Sequence, residues 1–270
     1  MVNVTKADGS KQPFDRSKLV RTCLRMRTSI DVAVKVADLV EPQLYEGIPT
    51  RQILKLVFKY VTKYRPPLKQ QIDLREAIAL LRPKPDFEQF VSLLLKAEGY
   101  SVKTNQTISG ECIEHEIDSL ASKKDERVYV EVKHHYNPHS YTGLDVFLTT
   151  QAVLEDLRQG GNNLSRAMVV TNTKLSEHAR KYAECKKISA VGWRYPDGRG
   201  LEDMIESSRL YPITLMKGLG MEIKDKLTDN RIVLINQLIE YDADDLAQLI
   251  KTGKNTCKEL LGKAHGILQS

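Results

Sequence analysis

Six consecutive residues, Val128-Tyr129-Val130-Glu131-Val132-Lys133, constrain this chain more than any other stretch. Valine at every second position suits a pleated surface. A period of two puts the valines on one face and Tyr129, Glu131 and Lys133 on the other. A strand of this kind needs partners, and the flanking sequence supplies them. Upstream, residues 87–95 repeat apolar side chains at helical spacing and Glu98-Gly99 closes the run. Residues 100–108 and 112–120 then read as strands around a Ser109-Gly110 turn, and 123–127 is a charged turn. Downstream, 142–157 reads as a helix, 167–171 as an apolar strand, 176–185 as a helix and 188–193 as a last strand. The order helix, three strands, helix, strand, helix, strand predicts an α/β fold, a mixed central sheet flanked by helices.

Arg82-Pro83-Lys84-Pro85-Asp86 cuts the chain, because two prolines in three residues stop a helix and favour an extended, linker-like path. A second cut falls near Arg209-Leu210-Tyr211-Pro212. The expected domains are therefore 1–82, 86–207 and 211–270. The 270 residues carry a net charge of +6 and a pI near 9.0, which suits polyanion binding. The excess is uneven: residues 1–85 carry +9, residues 86–210 carry −3 and residues 211–270 are neutral. Four scattered cysteines with no CxxC pair argue against a disulfide framework or a structural zinc site, and make the cytoplasm the simplest compartment. No apolar run is long enough to span a membrane.

In the first third, residues 2–6 alternate and Asp8-Gly9-Ser10 supplies a turn, predicting a small hairpin. Asp15 is a good N-cap for a helix carrying Leu19, Val20, Cys23 and Leu24. Val32, Val36, Leu39 and Val40 mark a second helix, and Thr50 can cap a third, with Val57 and Val61 on its buried face. Val4-Thr5-Lys6-Ala7-Asp8-Gly9 followed by Pro13-Phe14-Asp15-Arg16-Ser17-Lys18-Leu19 resembles the opening of an ATP-cone domain, an allosteric nucleotide sensor. The resemblance implies that Lys6 and Lys18 approach the phosphates of ATP or dATP, that Val4 packs near the base, and that Thr50 matches a polar position of the family. Ala7 stands where the family usually has a second basic residue.

Glu131 and Lys133 share one strand face, so a carboxylate and an ammonium can meet near one water. With a second carboxylate on the neighbouring strand, such a pair can hold Mg²⁺ while the lysine orients or deprotonates the water. Asp118 lies 13 residues upstream on the preceding strand, and Glu88 lies 30 residues before it on the helix expected to pack against the sheet. Hard oxygen donors favour Mg²⁺ or Mn²⁺ over zinc. Glu116 shares the face of Asp118 and is a rival ligand. Gln151 is a candidate polar neighbour on the next helix. His134, His135 and His139 read as solvated or DNA-facing, and Trp193 as core.

Phe87-Glu88, Gly99-Tyr100-Ser101-Val102, Ile117-Asp118 and Glu131-Val132-Lys133 together resemble the PD-(D/E)xK nuclease superfamily, and Mrr-type restriction endonucleases in particular. Ala167 to Asn172 and the helix after it match the same pattern. The resemblance implies Asp118 and Glu131 as metal ligands, Val132 lending its carbonyl, Lys133 activating water and Glu88 as a supporting carboxylate. The glycine-rich approach to the first acid, usual in that family, is replaced here by Gly110-Glu111-Cys112-Ile113-Glu114-His115-Glu116.

Lys217-Gly218-Leu219-Gly220 before a helix at 222–227 resembles a helix-hairpin-helix module, in which backbone amides of the glycine turn meet a DNA phosphate. That implies DNA contacts at Lys217, Gly218 and Gly220. Helices at 244–250 and 255–268 complete the lobe, and a plain helical interaction module is the alternative. The combined expectation is a Mg²⁺- or Mn²⁺-dependent DNA endonuclease regulated by ATP or dATP, forming a homo-oligomer and not bound to a membrane. Two rivals stay open: a nuclease-inactive, nucleotide-responsive DNA-binding regulator, and an ATP-driven oligomerisation scaffold.

Overall fold

The computed structural model describes residues 2–269, which divide into two compact units, 2–72 with 265–269, and 73–264. In the first unit, β1 (Asn3–Thr5) and β2 (Lys11–Pro13) form an antiparallel hairpin closed by Gly9 at φ +80°, where glycine alone is unstrained. Asp15 caps α1 (Arg16–Arg25) by accepting from Ser17 N–H, and Ser29 caps α2 (Ile30–Val40) through Val32 N–H. A short β3 (Ile48–Pro49), not foreseen in the sequence, lies parallel to β1 and leads into α3 (Thr50–Tyr64). Thr50 does not cap this helix; Pro49 holds the cap position without a side-chain bond, and Thr50 is the first helical residue. Leu19, Cys23, Val36, Val40, Val57 and Val61 form the core between the three helices.

The second unit opens with α4 (Leu74–Ala79), capped by Asp73, and an irregular turn at Pro83–Phe87 that runs into α5 (Glu88–Ala97). The turn is no open linker. Asp86 inside it is fully buried and accepts a paired contact from Arg82, with Nε and Nη2 each at 2.9 Å. Next come β4 (Ser101–Ser109), β5 (Glu114–Lys123), β6 (Glu126–Lys133), β7 (Tyr141–Thr142), α6 (Leu144–Gln159), β8 (Arg166–Thr171), β9 (Lys174–Leu175), α7 (Glu177–Lys186), β10 (Ser189–Val191) and α8 (Leu201–Ser208). The central sheet has the order β10-β8-β6-β5-β4, parallel across β10, β8 and β6 and antiparallel across β6, β5 and β4. It is the mixed sheet flanked by helices that the element order implies, with a helical C-terminus.

Burial explains the strand compositions. In β8, Ala167 to Thr171 are all buried, as a central parallel strand covered on both faces must be. In β6 Tyr129 is as buried as the valines beside it; from Val128 onward only Glu131 and Lys133, near the strand end, reach open space. Thr142 sits in β7 rather than in the following helix, because β7 pairs with β9 in a separate two-stranded sheet.

The C-terminal helices are α9 (Met221–Asp229), α10 (Ile235–Leu238), α11 (Ala243–Leu249) and α12 (Lys254–Leu268). The short α10 carries too few residues to show a helical period. The acids near 242 cap α11: Asp242 accepts from the amides of Asp244 and Asp245. Among the described residues all four cysteines are free, and no helix is long and apolar enough to cross a membrane.

Candidate active site

Asp118 marks a break in the sheet. The β4–β5 register passes over the pair Asn105 and Asp118, with Asn105 at φ +50°, and the β5–β6 register stops at Ser119 opposite Val130. A local break of this kind re-aims a side chain out of the ladder. The Asp118 carboxylate uses the freedom: its Oδ2 accepts from Val132 N–H at 2.8 Å, replacing a strand bond, while Oδ1 faces a cleft. The cleft is lined by Pro83, Lys84, Glu88, Asp118, Glu131, Val132, Lys133 and His134. All four side chains proposed for catalysis from the sequence, Asp118, Glu131, Lys133 and Glu88, therefore meet on one surface.

Their environments differ. Glu88, in the first turn of α5, is 3% exposed, and Asp118 7%. Lys84 enters from the turn before α5, with Nζ 2.8 Å from Asp118 Oδ1 and 2.9 Å from Glu88 Oε1. Only the Asp118 contact has hydrogen-bond alignment, which leaves Glu88 Oε1 a buried oxygen without a well-directed donor. The Glu88 carboxyl is lifted to about 7, chiefly by burial, with the Asp118 charge adding to the rise and Lys84 opposing it. Lys84 itself is held above the usual lysine range, first by Asp118 and then by Glu88, with burial opposing. Glu131 is also raised by burial, and Tyr129 OH donates to its Oε2 at 2.6 Å, fixing it from the same strand face. The ammonium of Lys133 makes no ion pair among the described residues, although its charge favours the ionised form of Glu131.

The backbone after Lys133 is anchored. Asn172, buried at the end of β8, accepts from His135 N–H and donates to His135 C=O, both at 2.8 Å. Thr142 bridges Thr171 and Thr173 at 2.8 Å each, and His135 Nε2 meets Thr142 Oγ1 at 3.0 Å. His134 packs edge-on against Phe87 and contacts Ile78 C=O, while His139 lies near Glu76 and Arg75. Each histidine is thus tied to different neighbours. His134 and His135 are half-buried rather than solvated, which lowers both below the ordinary histidine value, and His134 lines the cleft.

Among the described residues no three histidine, cysteine or carboxylate groups converge tightly enough to hold a metal ion. The donors present still suit a hard divalent cation. Two buried carboxylates already share one cation, the Lys84 ammonium, and carboxylate oxygens are what Mg²⁺ and Mn²⁺ prefer. Glu116 is exposed on β5, away from the cleft lining, and Gln151 donates to Glu155 at 2.6 Å. Sequence reasoning missed Lys84, Tyr129 and Asn172. For Lys84 a signal existed, the four-residue spacing to Glu88; for Asn172 it was a polar residue closing an apolar strand.

In the first unit, Val4 is 3% exposed within the sheet, and Lys6 and Lys18 are exposed. Thr5 pairs with Pro49 across the parallel β1–β3 register, so Lys6 and Thr50 leave the sheet side by side. In the C-terminal lobe, Lys217 and Gly218 are exposed, Gly218 has φ +76°, and Gly220 holds the N-cap position of α9. A single 3-10 turn, Ile213–Leu215, precedes the glycines in place of a full helix.

Comparison with known proteins accounts for the second unit. A family model described as restriction endonuclease matches residues 82–204, and one described as AF1548-like, C-terminal matches 211–268. A protein of Archaeoglobus fulgidus described as uncharacterized is 34% identical over 175 residues, 65% of this chain and 98% of the relative. A second uncharacterized protein of the same organism is 50% identical over 38 residues, covering 14% of this chain and 81% of its own. The crystal structure of a protein of unknown function, AF1548, superposes with a TM-score of 0.60 at 33% identity, over 67% of this chain and 96% of that one. Neither family model reaches residues 1–81. The chain therefore belongs to the family of AF1548-like proteins, with a restriction-endonuclease-like catalytic domain joined to an AF1548-like C-terminal domain.

Proposed function

We propose that the protein is a metal-dependent endonuclease that hydrolyses phosphodiester bonds of DNA. The observation that carries this reading is the meeting of Glu88, Asp118, Glu131 and Lys133 on one cleft inside the restriction-endonuclease-like domain. Asp118 and Glu131 are the proposed metal ligands with the Val132 carbonyl, and Glu88 is the supporting carboxylate. A bound Mg²⁺ or Mn²⁺ supplies positive charge against the charge that develops on the scissile phosphate. The protein's own side chains do the rest. Asp118 is held by Val132 N–H and Glu131 by Tyr129 OH, so both acids are fixed before substrate arrives. Lys133, free of ion pairs among the described residues, holds and orients the attacking water.

In this reading residues 86–207 cut, residues 211–270 grip the DNA backbone through Lys217, Gly218 and Gly220, and residues 1–82 bind ATP or dATP. The neighbouring exits of Lys6 and Thr50 from β1 and β3, with Lys18 on the following helix, support the nucleotide part. Coupling requires the nucleotide to bind two states of the protein with different affinity. The test is incubation of supercoiled, linear and branched DNA with Mg²⁺, Mn²⁺ or EDTA, each with and without ATP or dATP, with oligomeric state followed by light scattering. Cutting that needs the metal supports the nuclease. Identical cutting and assembly with and without nucleotide rejects the regulatory part alone.

One observation favours a second reading. Lys84 already bridges Asp118 and Glu88, as would suit a nuclease-inactive DNA-binding regulator in which lysine has replaced the metal for good.

A further inference from the structure

The two most buried acids of the cleft are bridged by an ammonium that is not itself buried. The Lys84 side chain is 68% exposed, against 8% for Asp118 and 4% for Glu88. Its position is set by the backbone. Lys84 stands between Pro83 and Pro85 with φ −124° and ψ 135°, the extended residue of an otherwise coiled turn. Arg82 pins that turn through the buried Asp86 two residues further on. The backbone is thus fixed while the side chain reaches the acids across solvent.

We propose that Lys84 gates the acid pair: its ammonium occupies the place a divalent cation needs, and the cation enters only as Lys84 withdraws into solvent. This rests on the metal-dependent reading above and adds to it a residue that sets cation affinity. An ammonium and a divalent ion cannot both lie within about 3 Å of the same carboxylate oxygens without strong mutual repulsion. Withdrawal without replacement would strand two buried acids, so the lysine leaves only as the cation takes its place; the solvent-exposed ammonium has an open path out, and its Glu88 contact lacks hydrogen-bond alignment. Until a cation arrives, the lysine keeps two crowded acids compatible with burial. Apparent cation affinity is then lowered by the fraction of time the lysine spends in the pair. A permanent lysine replacement would not exchange at all, so the gate and the regulator reading separate cleanly.

The test uses the full chain without DNA. Free Mn²⁺ is followed by electron paramagnetic resonance during titration of wild type and Lys84→Met, with circular dichroism to check that both fold. Lys84→Met binds Mn²⁺ tighter by about five-fold or more, because the variant has no ammonium for the cation to displace. The gain persists at high salt, where a merely long-range charge effect would be screened. Equal or weaker binding by the variant overturns the gate and leaves the metal reading standing; no binding by either protein overturns both. A second measurement follows Lys84 itself. With lysines reductively methylated with ¹³C, Mg²⁺ moves the Lys84 resonance to the position of a solvated lysine, and Asp118→Asn moves it there without Mg²⁺. A resonance that stays put at saturating Mg²⁺ overturns the proposal.

Discussion

Gly160 follows α6 where the chain passes the Gly110 loop, and a Cβ built on it would lie 2.4 Å from the Gly110 carbonyl carbon. Backbone cannot yield as a flexible side chain can, so Gly160→Ala is expected to lose about 1–3 kcal/mol in urea unfolding, the usual cost of overpacking. The same loop hangs on Asp156, which accepts from Cys112 N–H at 2.9 Å and faces His115 Nε2 at 2.7 Å. These contacts, the Cys112 amide foremost, pull the Asp156 carboxyl from 3.8 down to about 2. A depressed acid contributes stability that is present above its unfolded value and lost as pH falls toward the folded one. Wild type should therefore lose stability between pH 3.8 and about 2, and Asp156→Asn should lack that part of the pH dependence while melting lower at neutral pH. An unchanged acid-unfolding curve for the variant removes Asp156 from the account. Sequence showed Gly110 as a turn, but the need for glycine at 160 comes from a partner 50 residues away and leaves no local pattern.

The strand Val128-Tyr129-Val130-Glu131-Val132-Lys133 was legible because its alternation is local; the burial of Tyr129 was not, because it depends on helices packed over the other face. Asp118 and Glu131 could be paired from spacing alone, whereas the break in the ladder that frees Asp118 follows from Asn105 on a third strand. The segment Arg82 to Asp86 misled for a physical reason. Prolines exclude a regular helix but not a fixed turn, and this turn is fixed by contacts far along the chain. Arg82 Nη2 reaches Thr228 Oγ1 at 2.7 Å and Asp229 Oδ1 at 2.9 Å beyond its bond to Asp86. Gln89 donates to Arg231 C=O at 2.7 Å, and Thr214 Oγ1 to Ala77 C=O at 2.7 Å. Removing the guanidinium strands a fully buried carboxylate, so Arg82→Ala should cost about 3–5 kcal/mol, the range for breaking a buried pair. Chemical denaturation measures it, and a loss under about 1 kcal/mol, the size of a surface pair, would contradict the clamp.

Across the whole chain the charge distribution limits how DNA can be held. The excess of +9 sits in residues 1–85, whereas 86–210, which carry the cleft, are net −3 and the remainder neutral. On the proposed nuclease reading, so acidic a domain would attract DNA through a few placed cations, Lys133 and Lys217 among them, and through a divalent ion, rather than through bulk charge. The fold class and the acids of the cleft were readable from element order and spacing; the lysine that bridges two of them was hidden inside an apparent linker. The most direct measurement is the rate of Mn²⁺-dependent nicking of supercoiled plasmid by wild type and Lys133→Ala under identical conditions. Wild type is expected to nick in a reaction that EDTA abolishes and that Lys133→Ala slows by about 100-fold or more, the scale of a lost water-orienting group. Equal nicking by the two proteins, or none by wild type at any Mn²⁺ concentration, would contradict the nuclease reading.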